Sequence, residues 1–467
     1  MKKRRLIMIL ALVRIVGAMA GIFATRSSPH QTLREYVEAL QAAGEKMTSG
    51  ELMGSLSPHP NDSLAVLTNA VRQLGPPPAG ATNINVMHFI GPGRAQVAWE
   101  LGEPTWAVSP GGSPHVTWTD VGDHIARMAT PLTKLRQAMK QPAPNAGYRN
   151  NSYFESPTPF RFIRSAANWL ASEALWNLHQ GRRAETLASI QALAGLADLQ
   201  REEYALVSQM SRAAVADLGL NLTWEALQTK EWSDEQLLGL QTCWEGKDFL
   251  ETAERGMEGE RLLSRETIKI SQEKDPSLRE RFSRFSNSYY GTNLLDADLL
   301  FRLRHVQGYV EQVRALRTNR AWNEVSDSLD QLNARIDALT NSPQRIRYLL
   351  TLIATPNFKP AVRKGVQIET QRRLAITAIA LNRYEHKHGQ YPASLDGLVP
   401  EFLPAVPRDC MNGQPLGYQF KGMDAFILYS VGEDGQDNSG DPNPATNLGG
   451  KPGLWAGRDA VWPLPGN

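Results

Sequence analysis

The residues with the clearest capacity for chemistry form an acidic, glycine-rich loop near the C-terminus. Positions 432–441 read GEDGQDNSGD, so that Asp, Asn and Ser side chains alternate with glycines. Calcium takes several oxygen ligands in a flexible arrangement, and such a loop lets carboxylates and backbone carbonyls converge on one ion. The spacing is not that of an EF-hand. From the residues alone two interpretations stay open, a calcium site and a solvated turn.

Other residues capable of binding give weaker patterns. His386 and His388 stand two apart, which on a helix points them about 200° from one another, so we expect a solvated helix end and no shared metal. Trp99, Trp106 and Trp118 offer large apolar faces to a sugar or a peptide. Because tryptophans in strands more commonly lie in a core, we expect that role for them.

Sequence motifs that carry catalysis are absent. The chain has no G-x-S-x-G, no G-x-x-x-x-G-K-[ST], no G-x-G-x-x-G and no H-E-x-x-H. Catalytic groups can also be assembled from distant positions, so an enzyme stays an alternative. Lys and Arg total 50 against 48 Asp and Glu, and this net charge of +2 gives no electrostatic argument for nucleic acid or an acidic substrate.

A predicted helix must position the acidic loop. Its apolar stripe at helical spacing comprises Leu374, Ala375, Ala378, Ile379, Leu381 and Tyr384. The opposite side carries Arg372, Arg373, Asn382, Arg383 and Glu385. Gly389 predicts the C-cap, because glycine adopts the left-handed conformation without a Cβ penalty, and Pro392 cannot continue a helix.

After this helix the pattern changes period. Residues 394–398 predict a single helical turn capped by the Ser394 hydroxyl. Residues 415–420 and 425–430 read as the two strands of a hairpin. The sequence thus predicts a helix packed on a small antiparallel sheet, with the acidic loop at one end.

An ordered run of short motifs marks this segment: GQYP at 389–392, SLDGL at 394–398, VPRD at 406–409, GQPLGY at 413–418 and YSVGEDG at 429–435. Together they resemble the globular part of the major pseudopilin of type II secretion systems, over roughly the last quarter of the chain. In that family the terminal loop binds calcium through carboxylates and backbone carbonyls. The resemblance implies structural calcium bound by Ser430, Asp434, Asp437 and Asp459, with Asp441 as a less close match.

Two departures limit what the resemblance implies. Cys410 stands where the family usually has proline. A pseudopilin also begins with a short leader, a processing glycine and a glutamate five residues on, followed by the long apolar helix that assembles the fibre, and this chain does not show that arrangement. We therefore expect a borrowed domain and not a fibre subunit.

The N-terminal 26 residues predict export. A basic start, MKKRR, precedes an apolar run over 6–23 that contains only Arg14 as a charge. The run is about long enough for a membrane span of ~17 to 25 residues, whereas the A-x-A pattern at 18–20 favours cleavage. Arg14 counts against the anchor, since a cation near the membrane centre costs roughly 2.5 to 3.5 kcal/mol. A retained inner-membrane anchor with the bulk periplasmic and a cleaved leader both stay open, beside the less favoured alternative of a buried N-terminal helix in a cytoplasmic protein.

Residues 27–160 predict a mixed α+β region. Helical patterns cover 33–47, 63–74 and 123–139, and strand character covers 84–89 and 95–101, with shorter apolar pieces at 106–108 and 116–118. A proline-rich passage over 142–159 reads as a linker or an ordered loop.

Residues 161–355 predict a helical domain. The runs 166–179 and 183–199, separated at Gly181, predict an antiparallel hairpin that is similar to one tetratricopeptide-like unit, although no second copy follows at a fixed spacing. Ser233 and Gln236 predict a capping box. Longer helices are predicted at 296–316 and 322–339.

The two cysteines, Cys243 and Cys410, lie in different predicted domains. An exported location would permit a disulfide, but nothing in the sequence brings them together, so we expect two separate buried thiols.

The sequence therefore predicts a mainly α chain, a helical hairpin array over 161–355 followed by a small α+β domain over 356–467. We expect an exported, membrane-anchored interaction or scaffold protein of the cell envelope with a protein partner, and no nucleic acid. Two alternatives remain. One is a periplasmic hydrolase with its site between the N-terminal and helical regions, and the other is a component of the type II secretion machinery.

Overall fold

The computed structural model of the protein describes residues 28–53, 63–76, 86–104, 116–140, 160–274, 289–422, 425–444 and 452–466. The predicted leader or anchor at 1–26, Trp106 and the passage at 142–159 lie outside these ranges. The helices are α1 Pro29–Ala42, α2 Ser49–Met53, α3 Ser63–Leu74, α4 Trp118–Arg127, α5 Ala129–Ala138, α6 Phe160–His179, α7 Arg183–Asp198, α8 Leu206–Leu227, α9 Asp234–Glu245, α10 Phe249–Lys274, α11 Tyr289–Arg317, α12 Trp322–Thr340, α13 Leu349–Ala354 and α14 Lys359–His388. The strands are β1 His88–Gly91, β2 Arg94–Gln96, β3 Gly417–Phe420, β4 Phe426–Ser430, β5 Ala460–Val461 and β6 Leu464–Pro465.

The part of the chain that the structure describes is thus mainly helical, with two small sheets of three strands each, as the sequence predicted at that level. Within the described ranges, no helix combines the length and the apolar character that crossing a bilayer requires.

Contacts divide the chain into two compact units. The first comprises the described parts of Met1–Leu52, Arg261–Gly308 and Leu332–Asn357. The second comprises those of Met53–Glu260, Tyr309–Gln331 and Phe358–Asn467. The C-terminal segment therefore shares a unit with most of the helical region, while the four sequence domains, as independently folding pieces, stay a prediction.

In the second unit, the predicted hairpin of α6 and α7 is present. Gly181 joins the two helices with φ 69°, a left-handed conformation that glycine adopts without strain. The capping box before α9 is confirmed, since the Ser233 hydroxyl accepts from the amide of Gln236 and the Gln236 side chain accepts from the amide of Ser233. Trp169, Trp224 and Trp244 are fully buried in the core that these helices share.

Helix α14 is the long helix of the second unit and ends, as predicted, at Gly389 with φ 74°. The predicted apolar stripe is buried except for a half-buried Tyr384. The opposite side is not simply solvated. Arg372 donates to the carbonyl of Trp244, and Arg383 pairs with Asp234 at 2.8 Å, because α9 packs against this side. A helix with apolar contacts on one face and ion pairs on the other is held on both sides.

The C-terminal sheet has the order β3-β4-β5 and is antiparallel. Gly417 pairs with Tyr429, and a Cβ on Gly417 would lie 2.2 Å from the tyrosine ring, so only glycine permits this close pairing. The hairpin of β3 and β4 is as predicted, whereas β5 is formed by residues that the sequence did not identify as a strand. The Ser394 hydroxyl donates to the Asp396 carboxylate instead of capping the turn at Leu395–Leu398, so that expectation was wrong.

The N-terminal part of the second unit differs from the predicted elements in three respects. The predicted strand at 95–101 is shorter and becomes a 3₁₀ turn at Ala98–Glu100. Helix α4 begins at Trp118, earlier than predicted, because Thr117 and Asp120 form a capping box. The single helix predicted at 123–139 is broken at Met128, where Pro131 lacks the N–H that would continue the ladder.

The strand nearest the C-terminus, β6, was not predicted, and it pairs in parallel with β2. The Leu464 amide donates to the Gly93 carbonyl at 3.0 Å, and the Trp224 indole donates to the Pro463 carbonyl at 2.8 Å. These bonds tie the chain end to the N-terminal sheet.

In the first unit, Leu40, Met47 and Leu303 form a small apolar core. A buried polar set lies within the unit, where Arg261 donates to Glu45 and to Gln307 at 2.6 Å each. Arg261 is fully buried and paired, as a buried guanidinium must be.

Candidate functional site

Asp409 lies at the base of the C-terminal segment and is 1% exposed. Its Oδ1 accepts from the Met411 amide at 2.9 Å and from the Ser430 hydroxyl at 2.8 Å, and its Oδ2 accepts from the Val431 amide at 2.8 Å. Burial raises the pKa of Asp409, and these hydrogen bonds oppose the rise. The sequence motif VPRD contained this residue, but nothing in the motif assigned it a role.

The predicted ligand Ser430 is buried at the end of β4 and faces Asp409. Its hydroxyl also accepts from the Gly432 amide at 3.3 Å. Gly432 has φ 73°, and a Cβ there would lie 2.4 Å from the Arg458 carbonyl oxygen, so the turn into the acidic loop requires glycine. Ser430 and Asp409 thus fix where the loop begins.

Asp434 and Asp437 lie exposed in the loop itself. The Asp434 Oδ1 accepts from the Gln436 amide at 3.0 Å, which is an Asx turn. The Asp437 Oδ1 accepts from the Ser439 amide at 2.8 Å and from the Tyr429 hydroxyl at 3.0 Å. Neither Oδ2 accepts a hydrogen bond from a described residue, so each carboxylate keeps one oxygen for another ligand.

Asp459 is buried and closes the loop from the other side. It accepts from the amides of Asn438, Gly440 and Asp441 at 3.3, 2.7 and 3.0 Å. Burial raises its pKa, with a smaller contribution from Asp437 in the same direction. Asp459 therefore organises the loop through the backbone.

Asp441 lies at the end of the loop and forms bonds of its own. It accepts from the amide of Asn443 at 3.0 Å, and Arg458 approaches its other oxygen at 3.3 Å. The hydrogen bond from the Asn443 amide is the main reason that the pKa of Asp441 is lowered.

Only some of the predicted calcium ligands in the loop have oxygens that are free to bind an ion. Among the described residues, no group of three or more Asp, Glu, His or Cys side chains is placed to share a metal ion. The free Oδ2 atoms of Asp434 and Asp437 suit calcium in type, and further oxygens would have to come from backbone carbonyls, which calcium also accepts. Calcium at Ser430, Asp434, Asp437, Asp441 and Asp459 stays a prediction.

A groove in the second unit is a further candidate site, and the sequence did not indicate it. It has a volume of about 240 Å³. Its aromatic lining consists of Trp232, Tyr391, Phe426 and Trp462. The Tyr391 and Phe426 rings meet edge to face, with centroids 4.8 Å apart. These four residues come from four separated parts of the chain, so no local motif could have revealed the groove.

The rim of the groove is polar and carries both signs of charge. Lys230 and Glu385 lie on it together with the exposed His386. His388 is not on this rim and contacts Tyr384, with centroids 4.3 Å apart. Both histidines are exposed, in agreement with the solvated helix end that the sequence predicts.

Trp99 and Trp118 have structural roles, as expected. The Trp99 indole donates to the Glu225 carbonyl at 3.0 Å, and the buried Trp118 stacks on His179 with centroids 4.4 Å apart. Neither ring lines the groove.

The Glu225 carboxylate joins the N-terminal sheet region to α8. It is fully buried and accepts from the Met87 amide at 2.8 Å and from the Ala98 amide at 3.0 Å. Burial raises its pKa to about 8. The rival enzyme interpretation placed its cleft between these regions, and here the carboxylate is engaged by backbone amides.

The two thiols are separate, as predicted, and Cys410 is buried as expected, whereas Cys243 is only half-buried. Cys243 and Cys410 are free, and burial raises the pKa of each to about 12, so both are poor nucleophiles.

Compared with known proteins, the chain matches no protein-family model, no curated protein and no solved structure. The resemblance to the pseudopilin domain therefore rests on the sequence motifs alone and stays a prediction.

Proposed function

We propose that the protein is an exported, membrane-tethered interaction protein of the cell envelope, in which a helical hairpin array carries a pseudopilin-like α+β domain. The groove lined by Trp232, Tyr391, Phe426 and Trp462 is the observation that carries the interaction role. Export and tethering rest on the sequence of residues 1–26.

The chemistry of the groove favours a protein segment with an apolar or aromatic side chain. The groove exposes polar and apolar surface in similar amounts, so such a segment would contact both the aromatic rings and the polar groups beside them. Aromatic side chains in pockets are frequent anchors of protein interfaces. Lys230 and Glu385 on the rim offer one donor cation and one acceptor anion to the backbone or the ends of such a segment.

Site-specific photo-crosslinking in the native cell tests this role. A photoreactive residue replaces Leu464, which lines the groove and is 43% exposed. The matched control replaces Phe420, which is 44% exposed on β3 and does not line the groove. We expect a discrete adduct with an envelope protein from position 464 and none from position 420.

A blocking variant makes the result specific. Ala425 is exposed and lines the groove, so Ala425→Trp fills it without removing a buried contact. The adduct at position 464 should be lost in this variant. Equal adducts from both positions, or an adduct that survives Ala425→Trp, would reject the groove as the interaction site.

Calcium in the acidic loop forms a separate part of the proposal. Its role is structural, since an ion that binds the folded loop stabilises the fold by mass action. Support comes from the pseudopilin resemblance and from the free oxygens of Asp434 and Asp437.

A further inference from the structure

Three apolar side chains in the first unit are exposed along one stripe, which we call the 346–353 stripe. Ile346, Leu349 and Ile353 are 77%, 54% and 75% exposed. Ile346 and Ile353 have the highest exposures of any large apolar residue in the described part of the chain. Their spacing of three and four residues places them on one side of the 3₁₀ turn Pro343–Tyr348 and α13.

The outward orientation of this stripe is fixed from the opposite side. Thr351 is fully buried, and its amide donates to both oxygens of Asp298 at 3.2 and 3.1 Å. Its hydroxyl donates to the Asp298 carbonyl at 3.2 Å. Because Thr351 is two residues from Leu349 and from Ile353, its burial keeps both facing away from the unit.

Cationic side chains flank the stripe. Arg345 and Arg347 are exposed, and neither forms an ion pair with a described residue. The Arg347 guanidinium lies 5.8 Å from the centre of the Tyr348 ring, which in turn packs on Phe301. Apolar, aromatic and arginine side chains together are the composition of a surface that lies in a membrane interface.

The stripe lies beside the point at which the chain leaves its predicted anchor. Pro29 and Thr32, at the start of α1, line a cavity of about 240 Å³ together with Arg347 and Tyr348. His30 binds Asp296 of α11 at 2.8 Å, which holds the start of α1 in place. Residues 1–26 directly precede this point in the sequence, so a membrane that holds them is within reach of the stripe.

We propose that the 346–353 stripe lies in the headgroup region of the membrane, with Arg345 and Arg347 on anionic phospholipids. The inference rests on the proposed membrane tethering. The occupant is a lipid surface and not a protein, because the stripe combines unpaired cations with a position next to the predicted anchor.

The test uses the full chain reconstituted into vesicles of phosphatidylethanolamine and phosphatidylglycerol. An environment-sensitive dye is attached to Ile353→Cys in a chain in which the half-buried Cys243 and the buried Cys410 are replaced by alanine, so that the dye has a single attachment site. The matched control is Asp337→Cys, an exposed position on α12 of the same unit. We expect blue-shifted emission and quenching by spin-labelled lipid at 353, and water-like emission at 337.

Charge removal and flotation separate the possible failures. The double variant Arg345→Gln with Arg347→Gln should weaken docking of the stripe by about fivefold per arginine, and added salt should act in the same direction. If the chain floats with vesicles but the emission of the dye at 353 stays water-like, the protein is tethered to the membrane but the stripe does not contact it. A protein partner is then the better candidate for covering the stripe. If the chain does not float at all, both the tether and this inference are wrong.

Discussion

Two aspartates of the second unit, Asp409 and Asp434, lie in opposite environments. Asp409 is buried and both of its oxygens accept hydrogen bonds from the backbone or from Ser430, whereas Asp434 is exposed and keeps one oxygen free. Glu225 in the helical region resembles Asp409, because it too is buried and accepts hydrogen bonds from backbone amides. An acidic residue in this protein therefore indicates a ligand site only where both oxygens of its carboxylate are not already hydrogen-bonded within the chain.

The largest expected effect comes from removing the buried acceptor. Asp409→Ala leaves the amides of Met411 and Val431 and the hydroxyl of Ser430 without their partner, and each buried unpaired group costs ~1 to 3 kcal/mol. We expect the free energy of unfolding to fall by about 3 to 5 kcal/mol in urea titrations.

Two variants serve as controls for this prediction. Asp434→Ala, in the loop, removes one exposed turn bond and should cost less than about 1 kcal/mol. Asp409→Asn keeps an oxygen that can accept from two of the three donors, so its loss should be smaller than that of the alanine variant. Equal losses for Asp409→Ala and Asp434→Ala would remove the distinction between the two kinds of carboxylate.

The second expected effect is a pH dependence from Glu225. Its folded pKa of about 8 lies above the ordinary value of 4.5, so the folded state holds a proton that the unfolded state releases between these two values. Its contribution to stability is therefore complete below about pH 4.5, is lost as the pH rises through about 8, and is constant above. The slope reaches ~1.4 kcal/mol per pH unit at most.

Glu225→Gln should flatten the stability curve across this window. The amide oxygen of glutamine still accepts from the Met87 and Ala98 amides, and it does not titrate. Urea titrations at pH 5, 6, 7 and 8 provide the measurement, with the exposed Glu235→Gln as the control that keeps the wild-type slope. An unchanged slope in Glu225→Gln would show that Glu225 does not titrate in this range.

Local signals in the sequence predicted the features that depend on a few neighbouring residues. The end of α14 at Gly389 and the capping box at Ser233 follow from backbone geometry within four residues. The hairpin of β3 and β4 follows from strand character on both sides of a short turn.

Features that depend on distant partners were not predictable in this way. Glu225 binds amides up to 138 residues away, and Asp409 binds the Ser430 hydroxyl and the Val431 amide, 21 and 22 residues away, besides the neighbouring Met411 amide. The strand β6 exists because β2 supplies its partner. The groove likewise requires four segments to meet, so periodicity and motifs gave no sign of it. A local sequence pattern indicates which conformation a segment prefers. It does not indicate which distant side chains pack against that segment.

The smallest effect without added ligand, and the sharpest test of the loop, comes from Asp434→Asn. Asparagine keeps the acceptor for the Gln436 amide and so keeps the Asx turn, while it removes the charge and weakens the free oxygen as a calcium ligand. We expect the melting temperature in chelator to stay within about 1 °C of wild type, because no buried group changes. In millimolar calcium the wild type should gain several degrees, as an ion at 100 times its Kd adds about 2.7 kcal/mol, and Asp434→Asn should gain much less.

Asp441→Asn is the matched comparison, since Asp441 is already engaged by Asn443 and Arg458, and its calcium response should exceed that of Asp434→Asn. If calcium raises the melting temperature of neither the wild type nor the variants, the loop is a solvated turn held by Asp459, and its exposed carboxylates are no more than surface charge.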